Sequence, residues 1–164
     1  MALRRLTTAL GSRLKLGAPS CGNDVGKNTE QTMLIGGCYC GSIRYEGTGE
    51  PSHFVNCHCS ICRRTTGAPF VAWFSLNRQE FRFTKGIPTF FKSTQKGLRS
   101  FCSVCGTQLT FENSDEPDLI DITICSLDDP ESLSPEDHIH VSSKLKWTNL
   151  NDNDPQHLET RPSK

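Results

Sequence analysis

Seven of the nine cysteines in this 164-residue chain lie in three tight groups. The first group is Cys38 and Cys40, the middle group is Cys57, Cys59 and Cys62, and the third group is Cys102 and Cys105. Cysteines two or three residues apart can direct their thiolates at one ion, and a glycine such as Gly106 permits the tight turn of a metal knuckle. Thiolate ligands favour zinc among the common intracellular ions. The spacing therefore predicts a zinc protein.

The cysteines have three other possible interpretations. A disulfide framework needs an oxidising compartment, and we expect no secretory signal because the start of the chain lacks an apolar segment of the required kind. Cysteines as close in sequence as these pairs are also poorly placed for a disulfide with each other. Buried apolar thiols would explain one or two cysteines rather than seven. An iron–sulfur centre uses the same ligand type and stays open as an alternative.

The number of thiols suggests how they divide between ions. A closed structural zinc takes four protein ligands, whereas a catalytic zinc takes three and leaves one position open. The middle group spans six residues, so one loop can supply an open site. The first and third groups can meet only if the chain folds back, and together they would form a closed site. Spacing alone does not fix which groups meet, so other divisions remain.

The rest of the chain is predicted to be mainly β. Short extended segments are expected at 42–46, 54–57, 69–76, 80–84, 89–92, 108–112 and 119–126, with one helix at 60–66 and a loop or helical turn at 130–135. In the last extended segment Ile120, Ile122 and Ile124 alternate with Asp121, Thr123 and Cys125. We expect Cys125 to be a semi-buried core thiol. We expect the side chain of His58, between two proposed ligands, to point away from the metal.

The domain organisation follows from composition. Residues 1–32 carry five basic and two acidic residues, and Leu3, Leu6, Leu10 and Leu14 share one helical face. This pattern is typical of a mitochondrial or plastid transit peptide, or of an ordinary extension, and Cys21 within it receives no role. Residues 33–150 form the predicted domain. Residues 151–164 form a polar tail that we expect to pack poorly.

Charge and hydropathy limit the partners. Eighteen basic residues balance eighteen acidic ones, so the net charge gives no case for nucleic-acid binding. No apolar run approaches the roughly 18 residues of a membrane-spanning helix, so no membrane partner is expected. Reduced cysteine clusters suit the cytoplasm, with a mitochondrial or plastid location as the alternative. The oligomeric state cannot be inferred from the sequence.

Four stretches of sequence resemble the glutathione-dependent formaldehyde-activating enzyme family, which also includes centromere protein V. They are GGCYCGSIRYE, NCHCSICRRTTGAPF, FKSTQKGLRSFCSVCGTQLTF and HIHVSSKLKW, and the resemblance covers roughly residues 34–150. It implies small twisted antiparallel sheets organised around zinc-binding cysteine knuckles. It also implies two zinc ions per chain, a structural one held by the first and third groups and a catalytic-type one held by the middle group.

The resemblance implies a carbon–sulfur lyase that joins a glutathione-like thiol to a small aldehyde such as formaldehyde. An open zinc can take the substrate sulfur as its fourth ligand and so generate a thiolate near neutral pH. Zinc with three thiolates carries a net charge of −1, which Arg63 and Arg64 could offset for an anionic thiol, and Arg99 is a further candidate. Aromatic residues that could line the pocket are Phe70, Trp73 and Trp147. The alternatives are a zinc-structured binding module without turnover and a thiol-based zinc or redox sensor.

Overall fold

The computed structural model describes residues 33–161, so the expected extension at 1–32, with Cys21, lies outside the described residues. The described chain is mainly β. Its elements are β1 (Met33–Gly37), β2 (Arg44–Thr48), β3 (Ser52–Cys57), α1 (Ser60–Thr66), β4 (Val71–Asn77), β5 (Phe81–Lys85), β6 (Thr89–Lys92), β7 (Gly97–Phe101), β8 (Gln108–Asn113), β9 (Leu119–Thr123) and β10 (Asp137–Ile139). Helix α1 and strand β6 coincide with their predicted ranges.

The strands form two sheets. A three-stranded antiparallel sheet has the order β1-β2-β5, and a seven-stranded sheet has the order β10-β3-β4-β9-β8-β7-β6. All strand pairs are antiparallel except β10 and β3. Mainly β architecture with small sheets, as predicted from the sequence, is confirmed.

Strand β4 lies inside the large sheet, and its two faces contribute to different clusters. Phe74 and Leu76 on one face are almost fully buried in the main core, which includes Tyr45 and Ile122. Trp73 on the other face is buried in a second cluster that contains the sulfur-bearing side chains of the middle cysteine group. An apolar strand buried on both faces is expected at the centre of a sheet covered on both sides. The strand therefore separates the main core from the face that carries the middle group.

Strand β7 was not predicted, because its polarity is inverted. Leu98 is exposed, whereas Arg99 is only 5% exposed and faces the same cluster as Trp73. The usual pattern places the aliphatic side chain inside and the charged one outside. The inversion places a guanidinium on the buried face of the sheet.

The C-terminal segment pairs with β10, so the prediction that the tail packs poorly is wrong for this part of it. The backbone N–H of His138 donates to the carbonyl of Pro155, and the N–H of His157 donates to the carbonyl of His138, both at 2.8 Å. Arg161 Nε donates to the buried carboxylate of Asp137 at 2.6 Å. Residues 155–161 thus extend the edge of the large sheet.

The predicted strand at 119–126 ends early. Strand β9 stops at Thr123 and a 3-10 turn, Ile124–Ser126, follows. All three isoleucines of the segment are buried as the alternation predicted, but Cys125 is exposed on the turn, so its assignment as a semi-buried core thiol is wrong. Among residues 33–161, no helix has the length and apolar character needed to cross a bilayer.

The small sheet packs closely against the turn after β9. The Tyr45 hydroxyl is hydrogen-bonded to Ser126 Oγ at 2.7 Å, and both side chains are buried. Gly36 lies beside this pair, and a Cβ atom there would collide with the Tyr45 ring and the Ser126 carbonyl. The close approach therefore requires glycine at position 36.

We predict that Gly36→Ala destabilises the domain by about 1–3 kcal/mol, because an added methyl group overpacks this contact. Thermal unfolding of the purified protein measures the change. Met33→Ala, at an exposed position on the same strand, is the matched control and should shift the melting temperature little. An unchanged melting temperature for Gly36→Ala would mean that the small sheet does not dock tightly at this point.

Candidate functional site

The first and third cysteine groups meet in space, although they are separated by more than 60 residues. Their four sulfur atoms lie within 4.8 Å of one another, with 3.5 Å between those of Cys38 and Cys40 and 3.7 Å between those of Cys40 and Cys102. Tetrahedral zinc with Zn–S distances of 2.3 Å places its sulfur ligands roughly 3.8 Å apart. Cys38, Cys40, Cys102 and Cys105 therefore fit one zinc ion without rearrangement.

Two tight backbone turns bring these sulfurs together. The N–H of Gly41 donates to the Cys38 carbonyl at 3.0 Å, and the N–H of Gly106 donates to the Cys102 carbonyl at 2.8 Å. Both glycines have positive φ, +70° and +77°, a conformation that side chains disfavour. The first turn follows β1 and the second follows β7, so the four-thiol group links the small sheet to the large one.

Local hydrogen bonds favour the thiolate form at two of the four cysteines in this group. The Thr107 side chain and backbone, followed by the backbone of Cys40, lower the pKa of Cys105 to about 5. The side chain and backbone of Ser42 lower the pKa of Cys40 below its ordinary value. Because zinc binds cysteine as thiolate, these contacts prepare the group for a cation.

The middle group lies at the junction of β3, α1 and β4. Cys57 is the last residue of β3, Cys59 caps the N-terminus of α1, and Cys62 lies in its first turn. The three sulfur atoms lie within 4.8 Å of one another. Cys57 and Cys62 are buried, whereas Cys59 is partly exposed. The cluster could hold a metal ion through three protein ligands.

One negative charge dominates the middle group. Hydrogen bonds from the Cys57 and Cys62 thiols lower the pKa of Cys59 to about 2, and backbone N–H groups of Cys62 and Ile61 add to the effect. The same interaction with Cys59, followed by that with Cys62 and by burial, raises the pKa of Cys57 far above its ordinary value. Three thiols at this distance cannot all ionise without a cation. Their arrangement therefore suits a metal ion that neutralises the second and third thiolates.

The buried positive charge beside the middle group is that of Arg99. Its Nη2 donates to Cys62 Sγ at 3.4 Å, and its guanidinium carbon lies 4.6 Å from the centre of the Phe111 ring. The guanidinium is thus held against an aromatic face, where the ring quadrupole stabilises a cation. Arg99, predicted only as a further candidate, thus supplies a positive charge of the kind that was predicted for Arg63 and Arg64.

The two arginines that were predicted to offset the negative charge of the middle group, Arg63 and Arg64, lie on α1. Arg63 Nε donates to the carbonyl of His58 at 3.2 Å, which fixes the loop between two cysteines of the middle group. Arg64 is exposed. Their roles in thiol binding remain predictions.

The aromatic residues that were predicted to line the pocket lie in different surroundings. Trp73 is buried near Arg99, whereas Trp147 is 68% exposed.

A buried chain of histidines supports the loop of the middle group from behind. His58 is fully buried, and its Nε2 lies 2.8 Å from Nδ1 of His138. His138 Nε2 in turn lies 3.2 Å from Asp152 Oδ2. Burial and then the neighbouring His138 lower the pKa of His58 to about 4, so the ring is neutral near pH 7. The His58 ring contacts His138 and Phe70, and His58 is not part of the cysteine cluster that could hold a metal ion.

His138 and Asp152 were not predicted as functional residues from the sequence. The signal for the histidine was within the stretch HIHVSSKLKW, but no spacing rule connects that stretch to a residue 80 positions earlier. His138, Asp152 and Asp154 also place ligand atoms within 4.8 Å of one another. In that trio His138 Nε2 is hydrogen-bonded to Asp152, so we assign the trio to the support of His58 and not to a separate metal site.

A cleft of about 370 Å³ opens between α1 and the turn that joins β7 to β8. Its lining residues are Thr65, Phe91, Arg99, Phe101, Gly106 and Gln108. The cleft thus reaches Arg99, which contacts the middle group, and Gly106, which belongs to the four-thiol group. A second depression, of about 470 Å³, lies beside Phe54 and residues 132–136 and has no cysteine in its lining.

Comparison with known proteins agrees with this geometry. The profile of the family described as "Glutathione-dependent formaldehyde-activating enzyme" matches residues 33–143. A Halomonas elongata protein named "Putative glutathione-dependent formaldehyde-activating enzyme" is 27% identical over 127 residues, which cover 72% of this chain and 81% of that protein. A Schizosaccharomyces pombe protein named as an uncharacterized lyase is 29% identical over 76 residues, 46% of this chain and 55% of its own length.

A crystal structure of a Rhodobacter sphaeroides protein is similar with a TM-score of 0.48 and 20% identity, covering 75% of this chain and 98% of that one. The family match rests instead on the sequence profile, which spans all seven clustered cysteines and extends from β1 to residue 143, beyond β10. The chain belongs to the glutathione-dependent formaldehyde-activating enzyme family.

Proposed function

We propose that this protein is a carbon–sulfur lyase that adds a glutathione-like thiol to a small aldehyde such as formaldehyde. The observation that carries the proposal is the middle group: three cysteines converge on one point, with a buried arginine beside them and a cleft next to that arginine. The reaction forms one carbon–sulfur bond and moves the thiol proton to the former carbonyl oxygen. It therefore needs no oxidant or reductant.

Two zinc ions per chain are part of the proposal. The four-thiol group would hold a structural ion, and Cys57, Cys59 and Cys62 would hold a second one with an open position. A zinc ion bound in this way can take a substrate sulfur as a further ligand and lower the pKa of that thiol. The substrate aldehyde would then meet a thiolate rather than a thiol.

The residues of the chain contribute position and charge to this chemistry. Zinc with three thiolates carries a net charge of −1, and the contact of Arg99 with Cys62 at 3.4 Å offsets it. The hydrogen bond from the Cys62 backbone N–H to Cys59 Sγ, at 3.2 Å, holds the capping thiolate in place. Arg63 and Arg64 would add positive charge outside the cleft for an anionic thiol.

The alternative of a thiol-based zinc or redox sensor has one observation in its favour. Cys59 is partly exposed and has a strongly lowered pKa, the combination that makes a thiolate open to oxidation. A sensor would release zinc on oxidation without turning over an aldehyde. A cytoplasmic location is part of the proposal, because reduced cysteine clusters suit a reducing compartment.

We predict that the two cysteine sites differ in their importance for folding. Structural zinc contributes about 10–16 kcal/mol of binding free energy, which is as large as the typical domain stability of about 5–15 kcal/mol. Cys102→Ser should therefore unfold the domain or make it insoluble. Cys62→Ser should remain folded and lose one zinc.

Zinc content per chain and thermal unfolding distinguish the two variants. Cys125→Ser is the matched control, because this thiol is exposed and belongs to neither cluster; it should keep both ions and the parental melting temperature. Equal damage from Cys102→Ser and Cys62→Ser would show that the division into a structural and an open site is wrong.

We predict that the wild-type protein increases the rate at which glutathione and formaldehyde exchange with their adduct. Exchange NMR with ¹³C-formaldehyde measures this rate directly, and the protein-free solution gives the background. Cys59→Ser should reduce the rate to that background while circular dichroism stays native, because the open site loses a ligand. Lyase rates that survive in folded Cys59→Ser would contradict the mechanism, and a wild-type rate equal to background would favour the sensor or binding module.

A further inference from the structure

Arg99 has hydrogen-bonding capacity that the fold does not use. Its Nε donates to Ser93 Oγ at 3.2 Å and its Nη2 donates to Cys62 Sγ at 3.4 Å. The guanidinium packs against two neighbouring rings, with its carbon 4.6 Å from the centre of the Phe111 ring and 5.8 Å from that of Trp73. Nη1 is buried and has no acceptor among the described residues. A charged donor held rigidly without a partner is prepared for an external acceptor.

A second unused donor lies in the same cleft. Gln108 is 8% exposed, and its Nε2 is buried without an acceptor among residues 33–161. Arg99 and Gln108 both line the 370 Å³ cleft. Leaving two buried donors without acceptors costs free energy, and buried polar groups are nearly always hydrogen-bonded. The pair therefore indicates that this cleft binds an acceptor.

The charge of the cleft selects the ligand class. None of its lining residues is acidic, and Arg99 supplies a positive charge. Asp121 lies two strands from Arg99, with Phe111 in register between them, and its Oδ1 accepts a hydrogen bond from Ser75 Oγ at 2.6 Å. The other walls include the rings of Phe91 and Phe101. Such a surface suits a small anion attached to an apolar or neutral backbone, for which a carboxylate is the matching acceptor.

We propose that this cleft binds a carboxylate of the thiol substrate, with Arg99 Nη1 and Gln108 Nε2 as its donors. The proposal rests on the proposed function for the thiol itself, because the contact of Arg99 with Cys62 places the carboxylate subsite next to the three-thiol group. Arg99 and Gln108 are then specificity-determining residues: they favour thiols that carry a carboxylate over thiols that do not. Gln108 touches no cysteine sulfur in the structure, so it can be changed without removing a metal ligand.

Gln108→Glu tests the subsite, because it replaces a donor by a negatively charged acceptor. Isothermal titration calorimetry on the zinc-loaded protein uses two probes, glutathione and S-methylglutathione, the second of which has no free thiol. The variant should bind both at least 10-fold more weakly than wild type, with zinc content unchanged. Gln79→Glu, which adds the same charge at an exposed position outside the cleft, is the matched control and should bind both probes as wild type does.

Arg99→Lys keeps the charge but removes the planar fork. It should reduce the preference for glutathione over its diethyl ester at least fivefold while the zinc content stays at the wild-type level. Equal binding of S-methylglutathione to wild type and Gln108→Glu, or no binding to wild type at all, would overturn the proposal. Failure of the lyase assay would leave this result intact, since S-methylglutathione binding needs neither turnover nor a free thiol.

Discussion

The convergence of four thiols from two distant turns is the constraint on which the rest of the structure depends. The first turn follows β1 in the small sheet and the second follows β7 in the large one. The four-thiol group, which we call the clamp, therefore fixes the two sheets to each other. The chain has a moderate apolar content for its length. A cation that binds four thiolates stabilises only the folded arrangement, because the unfolded chain does not present a formed site. Strand β7, which the clamp positions, also carries Arg99.

Electrostatics connects the clamp to the middle group. A flat sheet would place β7 about 19 Å from β3, four strand spacings away, yet Arg99 reaches Cys62. Helix α1, which packs against β4, carries Cys62, so the guanidinium on β7 meets a thiol delivered by the helix. The cost of burying Arg99 is offset by the two neighbouring aromatic rings and by the negative charge of the cysteine cluster. A buried chain from Asp152 through His138 to His58 fixes the same loop from the opposite side.

The features that the sequence predicted are those set by local spacing. The three cysteine groups, helix α1 and strand β6 depend on residues close together in the chain, and the alternation of isoleucines in β9 depends on a period of two. The features that were missed depend on partners far away. Strand β10 has only three residues and is completed by residues 155–161 of the tail. Strand β7 has its aliphatic residue outside and its arginine inside, a reversal that only the cysteine cluster and the two rings explain.

The arginines show the same limit within the site. Arg63 and Arg64 adjoin the middle group in sequence, which is why they were proposed, whereas Arg99 adjoins it in space.

Zinc K-edge X-ray absorption of the holo-protein tests the central claim, one closed and one open site, most directly. It should give an average of about 3.5 sulfur ligands per zinc, rising to about 4 on addition of glutathione. An average of four sulfurs that does not change with glutathione would contradict the open site.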